Sequence, residues 1–233
     1  MTAQMTAPTI APTSAEAFQE NTKEQYEALG RFVEAFEMMV SEVRETCLEI
    51  LKRDNKHYEL LEIAFHHGAL TARPLFDVMQ ALVAEIVGDT IRNPPFDVGG
   101  KGPVPDFTAP DRNTFWGVMK FVAEEYGELT TTRNNLLHAT WFTGYSDVDD
   151  PFGSEFYARK YSAGKDRLSS LDLPKDAITF VRLSNRCDAL RHWIIWLRSC
   201  VFGESPFAQR FVFEKQTWWL VTYSGSKTTL PER

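Results

Sequence analysis

The sequence predicts a mainly α-helical protein: an antiparallel four-helix bundle with a small carboxy-terminal β appendage. Three observations predict it. Four long segments carry apolar residues three and four positions apart, the repeat of a helix that buries one face. After Phe207 the chain turns aromatic and β-branched, which suits a pleated sheet. The composition, 43% hydrophobic and 24% charged over 233 residues, is that of a folded chain with apolar surface enough for a core. With 13 Gly and 12 Pro it excludes a collagen-like or low-complexity chain. No stretch approaches the roughly 18–20 apolar residues of a membrane helix.

Each element has its own grounds. Residues 1–13, rich in Thr, Ala and Pro, are expected to form a disordered tail. Ser14 is suited to cap the first helix, whose stripe runs through Phe32, Phe36, Val40, Val43, Cys47 and Leu51. A second helix is expected over 57–88, and Pro74 inside it predicts a kink or a fresh start near Ala72–Arg73. Five prolines and four glycines make 88–112 a long loop. The third helix runs from about Pro110 to Ala139, through Phe115, Val118, Val122, Tyr126 and Leu129. Trp141–Gly153 reads as a loop and Glu155–Ser162 as a short strand. Pro174 opens a fourth helix over 175–202. Phe207–Tyr223 is expected to be a hairpin turning at Glu214-Lys215-Gln216, which the 155–162 strand could join. The domain reading is thus a helical domain over 14–205 and a hairpin appendage over 206–233 packed on it.

The net charge of −7 excludes a protein that coats nucleic acid by charge alone. Its distribution is uneven. Residues 1–62 and 63–154 each hold 12 acids against 6 bases, whereas 155–233 hold 8 acids against 13 bases. A basic carboxyl third fits contact with a phosphate-bearing ligand. Within it Arg182 and Arg186 are four apart, share a helix face, and are the candidates for holding RNA phosphates.

Three cysteines, Cys47, Cys187 and Cys200, have no ligand-like spacing and are expected to be free thiols in a reducing cytoplasm. The amino terminus lacks the basic start and apolar core of a signal peptide, which points the same way. No metal and no cofactor is expected. Glu62 and His66 are one residue too far apart for the Glu-x-x-His of di-iron bundles. His66 and His67 are adjacent, so on a helix they point about 100° apart. Asp147, Asp149 and Asp150 lack the Glu that closes a calcium loop. Gly99-Gly100-Lys101-Gly102 sits among prolines and opens no helix, unlike a phosphate-binding loop.

The segment that carries chemistry is Thr130-Thr131-Thr132-Arg133-Asn134-Asn135-Leu136-Leu137-His138, near the end of the third helix. A His that moves a proton and an Arg that neutralises phosphorane oxygens are what phosphodiester cleavage without a metal needs. On a regular helix Asn134 and His138 share a face, so the amide could orient the ring. Arg133 and His138 lie about 140° apart, so one copy does not readily close a site. Two copies across a two-fold axis would.

This segment resembles the HEPN superfamily, whose signature is an Arg, a polar residue, and a His four to six residues after the Arg. Arg133, Asn134 and His138 match it, over a resemblance strongest at about 110–145. The resemblance implies a helical homodimer acting as a metal-independent endoribonuclease, often a toxin or an antiviral defence component. Arg133 and His138 would then be catalytic and Asn134 supporting. RNA would be the substrate, with an antitoxin or regulatory protein as a further partner, and no membrane. A second stretch, Arg186-Cys187-Asp188-Ala189-Leu190-Arg191-His192, fits the spacing but lacks the polar residue after its Arg. The alternatives are a non-catalytic bundle that binds a partner protein or nucleotide, and a ligand cavity among the helices.

Overall fold

Periodic apolar stripes become helices where the structure is described. The computed structural model describes residues 14–52, 63, 65–66, 70–92, 109–142, 157–163, 168–173, 176–202 and 205–230. In chain order these give α1 (Ser14–Lys52), α2 (Ala72–Arg92), α3 (Ala109–Leu137), β1 (Thr140–Phe142), β2 (Tyr157–Ala163) and β3 (Leu168–Asp172). Then come α4 (Ala177–Val201), α5 (Phe207–Arg210), β4 (Phe211–Glu214), β5 (Thr217–Val221) and β6 (Lys227–Thr228). The chain is therefore mainly helical, with a small antiparallel sheet at its carboxyl end. The expected tail at 1–13, positions 57–62 of the expected second helix, and 93–108 of the expected loop lie outside the described residues. The fresh start near Ala72 is where α2 begins. It places Pro74 in the first turn, where a missing N–H breaks no helical bond.

The chain divides into two compact units. One takes the chain up to Arg31 together with Asn135–Val181; the other takes Phe32–Asn134 and Arg182–Arg233.

In the second unit the four long helices share an apolar core that includes Phe32, Phe36 and Met39 of α1, Leu75 and Phe76 of α2, Phe115 and Tyr126 of α3, and Trp193 and Ile194 of α4. Helix α3 is the common neighbour, and it runs antiparallel to the other three. Against α1, Arg133 pairs with Glu37 near one end, while Thr46 shares a small apolar cavity with Phe115 and Met119 near the other. Against α2, Tyr126 stacks on Phe76 at 4.4 Å and donates its hydroxyl proton to the Ala72 carbonyl, and Met79 and Val83 meet Phe115 and Met119 at the cavity. Against α4, Glu125 and Glu128 hold Arg186, and Phe121 packs on Trp193. It follows that α1, α2 and α4 point the same way. The up-down alternation expected of an antiparallel bundle holds only around α3. Arg44 Nε of α1 donates to the Phe65 carbonyl at 3.0 Å.

The carboxyl hairpin packs on α3 and α4 in the same unit. Phe211 lies against Trp193 and Phe207 against Phe115. Trp218 covers Gly117 so closely that a Cβ there would sit 2.8 Å from its ring, which is why this turn of α3 needs glycine. The predicted turn is present: Lys215 and Gln216 have φ of 51° and 64°, the double positive φ of a tight hairpin. Register pairs Phe211 with Leu220 and Phe213 with Trp218, and β6 adds a third strand to β5.

The first unit holds the start of α1, the β1-β2-β3 sheet and the start of α4. The 155–162 strand appears as β2, but it does not join the hairpin. It pairs antiparallel with β1 and β3, Thr140 opposite Arg159 and Arg159 opposite Asp172. Trp141 and Phe142, expected in a loop, form most of β1, because β2 supplies the hydrogen-bonding partner that a local reading cannot see. Asp176 caps the start of α4: its carboxylate accepts from the Thr179 N–H at 2.7 Å and from the Thr179 hydroxyl at 2.8 Å. Pro174, expected to open this helix, lies outside the described residues.

Candidate functional site

The candidate site lies where α3 ends. Three threonines precede it; Thr130 is buried, and Thr131 turns its hydroxyl back to the Gly127 carbonyl at 2.8 Å. Helix α3 stops at Leu137, and His138 is the first residue past it. The helix, expected to run to Ala139, therefore ends one residue before His138. Arg133 and Asn134 belong to one unit and His138 to the other.

Each of the three has a defined setting. His138 and Asn134 are exposed. Arg133 lies over the Phe36 ring, 5.5 Å from its centroid. Its Nη2 donates to Glu37 Oε1 at 2.6 Å and its Nη1 to Asn134 Oδ1 at 3.3 Å. Its Nε is buried without a hydrogen-bond partner. The side chain keeps 27% of its exposure, so the guanidinium is seated and still reaches water. Asn134 Oδ1 thus helps to orient Arg133.

The two phosphate-binding candidates part company. Arg182 is exposed on α4. Arg186 is not available: its Nε donates to Glu125 at 2.6 Å and its Nη2 to Glu128 at 3.0 Å, and only 12% of the side chain is exposed. The hydrogen bond to Glu125 holds the guanidinium above its ordinary pKa, although burial opposes this. Two carboxylates leave no positive charge for a phosphate. The second motif-like stretch fares no better. Cys187 is buried, and the His192 ring is tied through Nδ1 to the Asp188 carbonyl within α4.

Two further arginines of the basic third are also paired. Arg198 pairs with Glu42 at 2.7 Å and with Glu49 at 3.5 Å, and Arg191 approaches Glu42 at 3.9 Å. Burial raises the pKa of Glu42, outweighing both arginines beside it. The three thiols are free and buried, and burial pushes each to about 12, far from a reactive thiolate. Among the described residues no three His, Cys, Asp or Glu side chains gather as metal ligands do, and no helix is long and apolar enough to cross a membrane.

Sequence reasoning missed Glu37, Glu125 and Glu42. Glu125 and Arg186 had a signal. Glu125 falls between Val122 and Leu129 on the apolar stripe of α3, and Arg186 between Leu183 and Leu190 on that of α4. A Glu and an Arg on two apolar faces are a buried pair in waiting. Glu37 has no such signal.

Compared with models of known protein families, with curated proteins and with solved structures, the chain matches none.

Proposed function

We propose that the protein is a HEPN-like, metal-independent endoribonuclease, a cytoplasmic homodimer with a four-helix-bundle frame, of the kind used as a toxin or antiviral defence component. His138 takes the proton of a ribose 2′-hydroxyl. The 2′-oxygen bonds to phosphorus as the bond to the 5′-oxygen breaks, and the departing 5′-oxygen takes a proton from His138 of the second copy or from water, leaving a cyclic phosphate and a 5′-hydroxyl. Arg133 faces the charge gathering on the phosphorane oxygens, and Asn134 steadies Arg133. Arg182 holds a neighbouring phosphate; Arg186 takes no part. A second copy supplies the second motif. One observation carries this reading: the matched residues are accessible, with His138 and Asn134 exposed and Arg133 seated but open to water.

The Arg133–Glu37 ion pair favours a second reading, a non-catalytic bundle that binds a partner protein or nucleotide. Cleavage of several RNAs in the presence of chelator separates the two. Wild type should cut, and His138→Ala and Arg133→Ala should each reduce the rate at least a hundredfold, in line with the loss of a general base or of a charge-stabilising donor. Equal behaviour of wild type and both variants would leave only the second reading.

A further inference from the structure

The contact between Glu37 and Arg133 has a chemistry of its own. Glu37 Oε1 accepts from Nη2 at 2.6 Å, half of the Glu37 side chain is exposed, and the pair lies at the water-facing edge of the unit. It is a one-oxygen contact. The neighbouring Nε has no hydrogen-bond partner, so the two-bond fork that makes an Arg–carboxylate pair tight is absent. The Phe36 ring and Asn134 Oδ1 hold the guanidinium independently of Glu37. Arg133 therefore keeps two other seats if Glu37 leaves. An anion arriving from solvent meets a cation already neutralised by an exchangeable carboxylate.

We infer that Glu37 is an acidic gate on Arg133: it competes with a phosphodiester for the guanidinium and sets how readily the site admits RNA. The inference rests on the proposed reading for the identity of the ligand, and it adds a residue that the Arg-to-His spacing does not contain. The competition is electrostatic. A phosphate must displace Glu37 or share the guanidinium with it, and a carboxylate within a few ångströms repels the phosphate charge. Removing that charge while keeping the side-chain shape should favour the phosphate.

The test uses the full chain and a single-stranded oligoribonucleotide carrying 2′-O-methyl groups, which binds but lacks the attacking hydroxyl. Binding is followed by fluorescence anisotropy for wild type, Glu37→Gln, Arg133→Ala and the double variant. Glu37→Gln should tighten binding about fivefold, the scale of one partly exposed charge pair. The gain should vanish when Arg133 is also Ala, and should shrink as salt rises. Glu37→Ala, which removes the same charge, must reproduce the gain. Glu34→Gln, an exposed acid one helical turn away, must not. Binding of Glu37→Gln equal to or weaker than wild type overturns the gate, and so does a gain that survives loss of Arg133. Cleavage of the matching unmodified RNA is measured alongside. Wild-type cleavage without a gain in Glu37→Gln keeps the nuclease and removes the gate. An Arg133-dependent gain without cleavage by any variant keeps the gate and removes the nuclease.

Discussion

Arg133 and Arg186 each stand at the head of an Arg-to-His spacing of the same kind, and the fold treats them oppositely. Arg186 is sunk between Glu125 and Glu128, with the Glu125 side chain only 4% exposed. Arg133 rests on Phe36, meets one half-exposed carboxylate, and still faces water. The difference comes from the stripe each residue falls on. Arg186 belongs to the face that α4 turns toward α3, so its charge had to be matched inside. Arg133 lies beside the buried face of α3, where an aromatic ring takes the apolar part of the side chain and solvent takes the rest. A spacing motif is blind to this distinction, which separates a structural ion pair from a candidate site.

The sharpest way to break the comparison is to remove each arginine. Arg186→Ala leaves Glu125 as a buried, uncompensated charge and should cost about 3–5 kcal/mol in urea unfolding. Loss of less than about 1 kcal/mol would show that Arg186 is not the structural member of the two. Arg133→Ala should cost at most about 1 kcal/mol, because its pair is partly exposed and screened, while abolishing RNA cleavage. Equal shifts of the two unfolding curves would mean that the fold does not treat the two arginines differently.

The smallest effect is a pH dependence. Glu42 has its pKa raised by burial above the ordinary 4.5, with Glu45 and Glu49 adding and Arg198 and Arg191 opposing. Between 4.5 and the raised value the folded chain binds more protons at this group than the unfolded chain does. Stability from Glu42 is therefore highest below that window and falls as pH rises through it. Glu42→Gln should flatten that part of the stability–pH curve. An unchanged slope would mean that Arg198 and Arg191 compensate the burial fully.

Much of this molecule can be read from its sequence. The repeat of three and four placed α1, α3 and α4 within a few residues of where they lie. Pro74 marked the start of α2, and Glu214–Gln216 marked the hairpin turn. These are local effects: one buried face per helix, a proline's missing N–H, and a turn that tolerates positive φ. The failures are all non-local. Trp141 and Phe142 became a strand because β2 lies beside them, and β2 chose β1 and β3 over the hairpin. Helix α3 ends at Leu137, short of the Ala139 at which the sequence ends it.

By itself, then, the sequence determined the helical class, the small β element and the identity of one unusual cluster of Arg, Asn and His. Tertiary structure alone decided the direction of the helices, the partners of β2, and which basic residues remain available. The physical reason is that local backbone preferences depend on a residue and its near neighbours. The state of a charge depends on what faces it from other elements. In the carboxyl third, Arg186 and Arg198 are answered from α1 and α3, by Glu42, Glu49, Glu125 and Glu128.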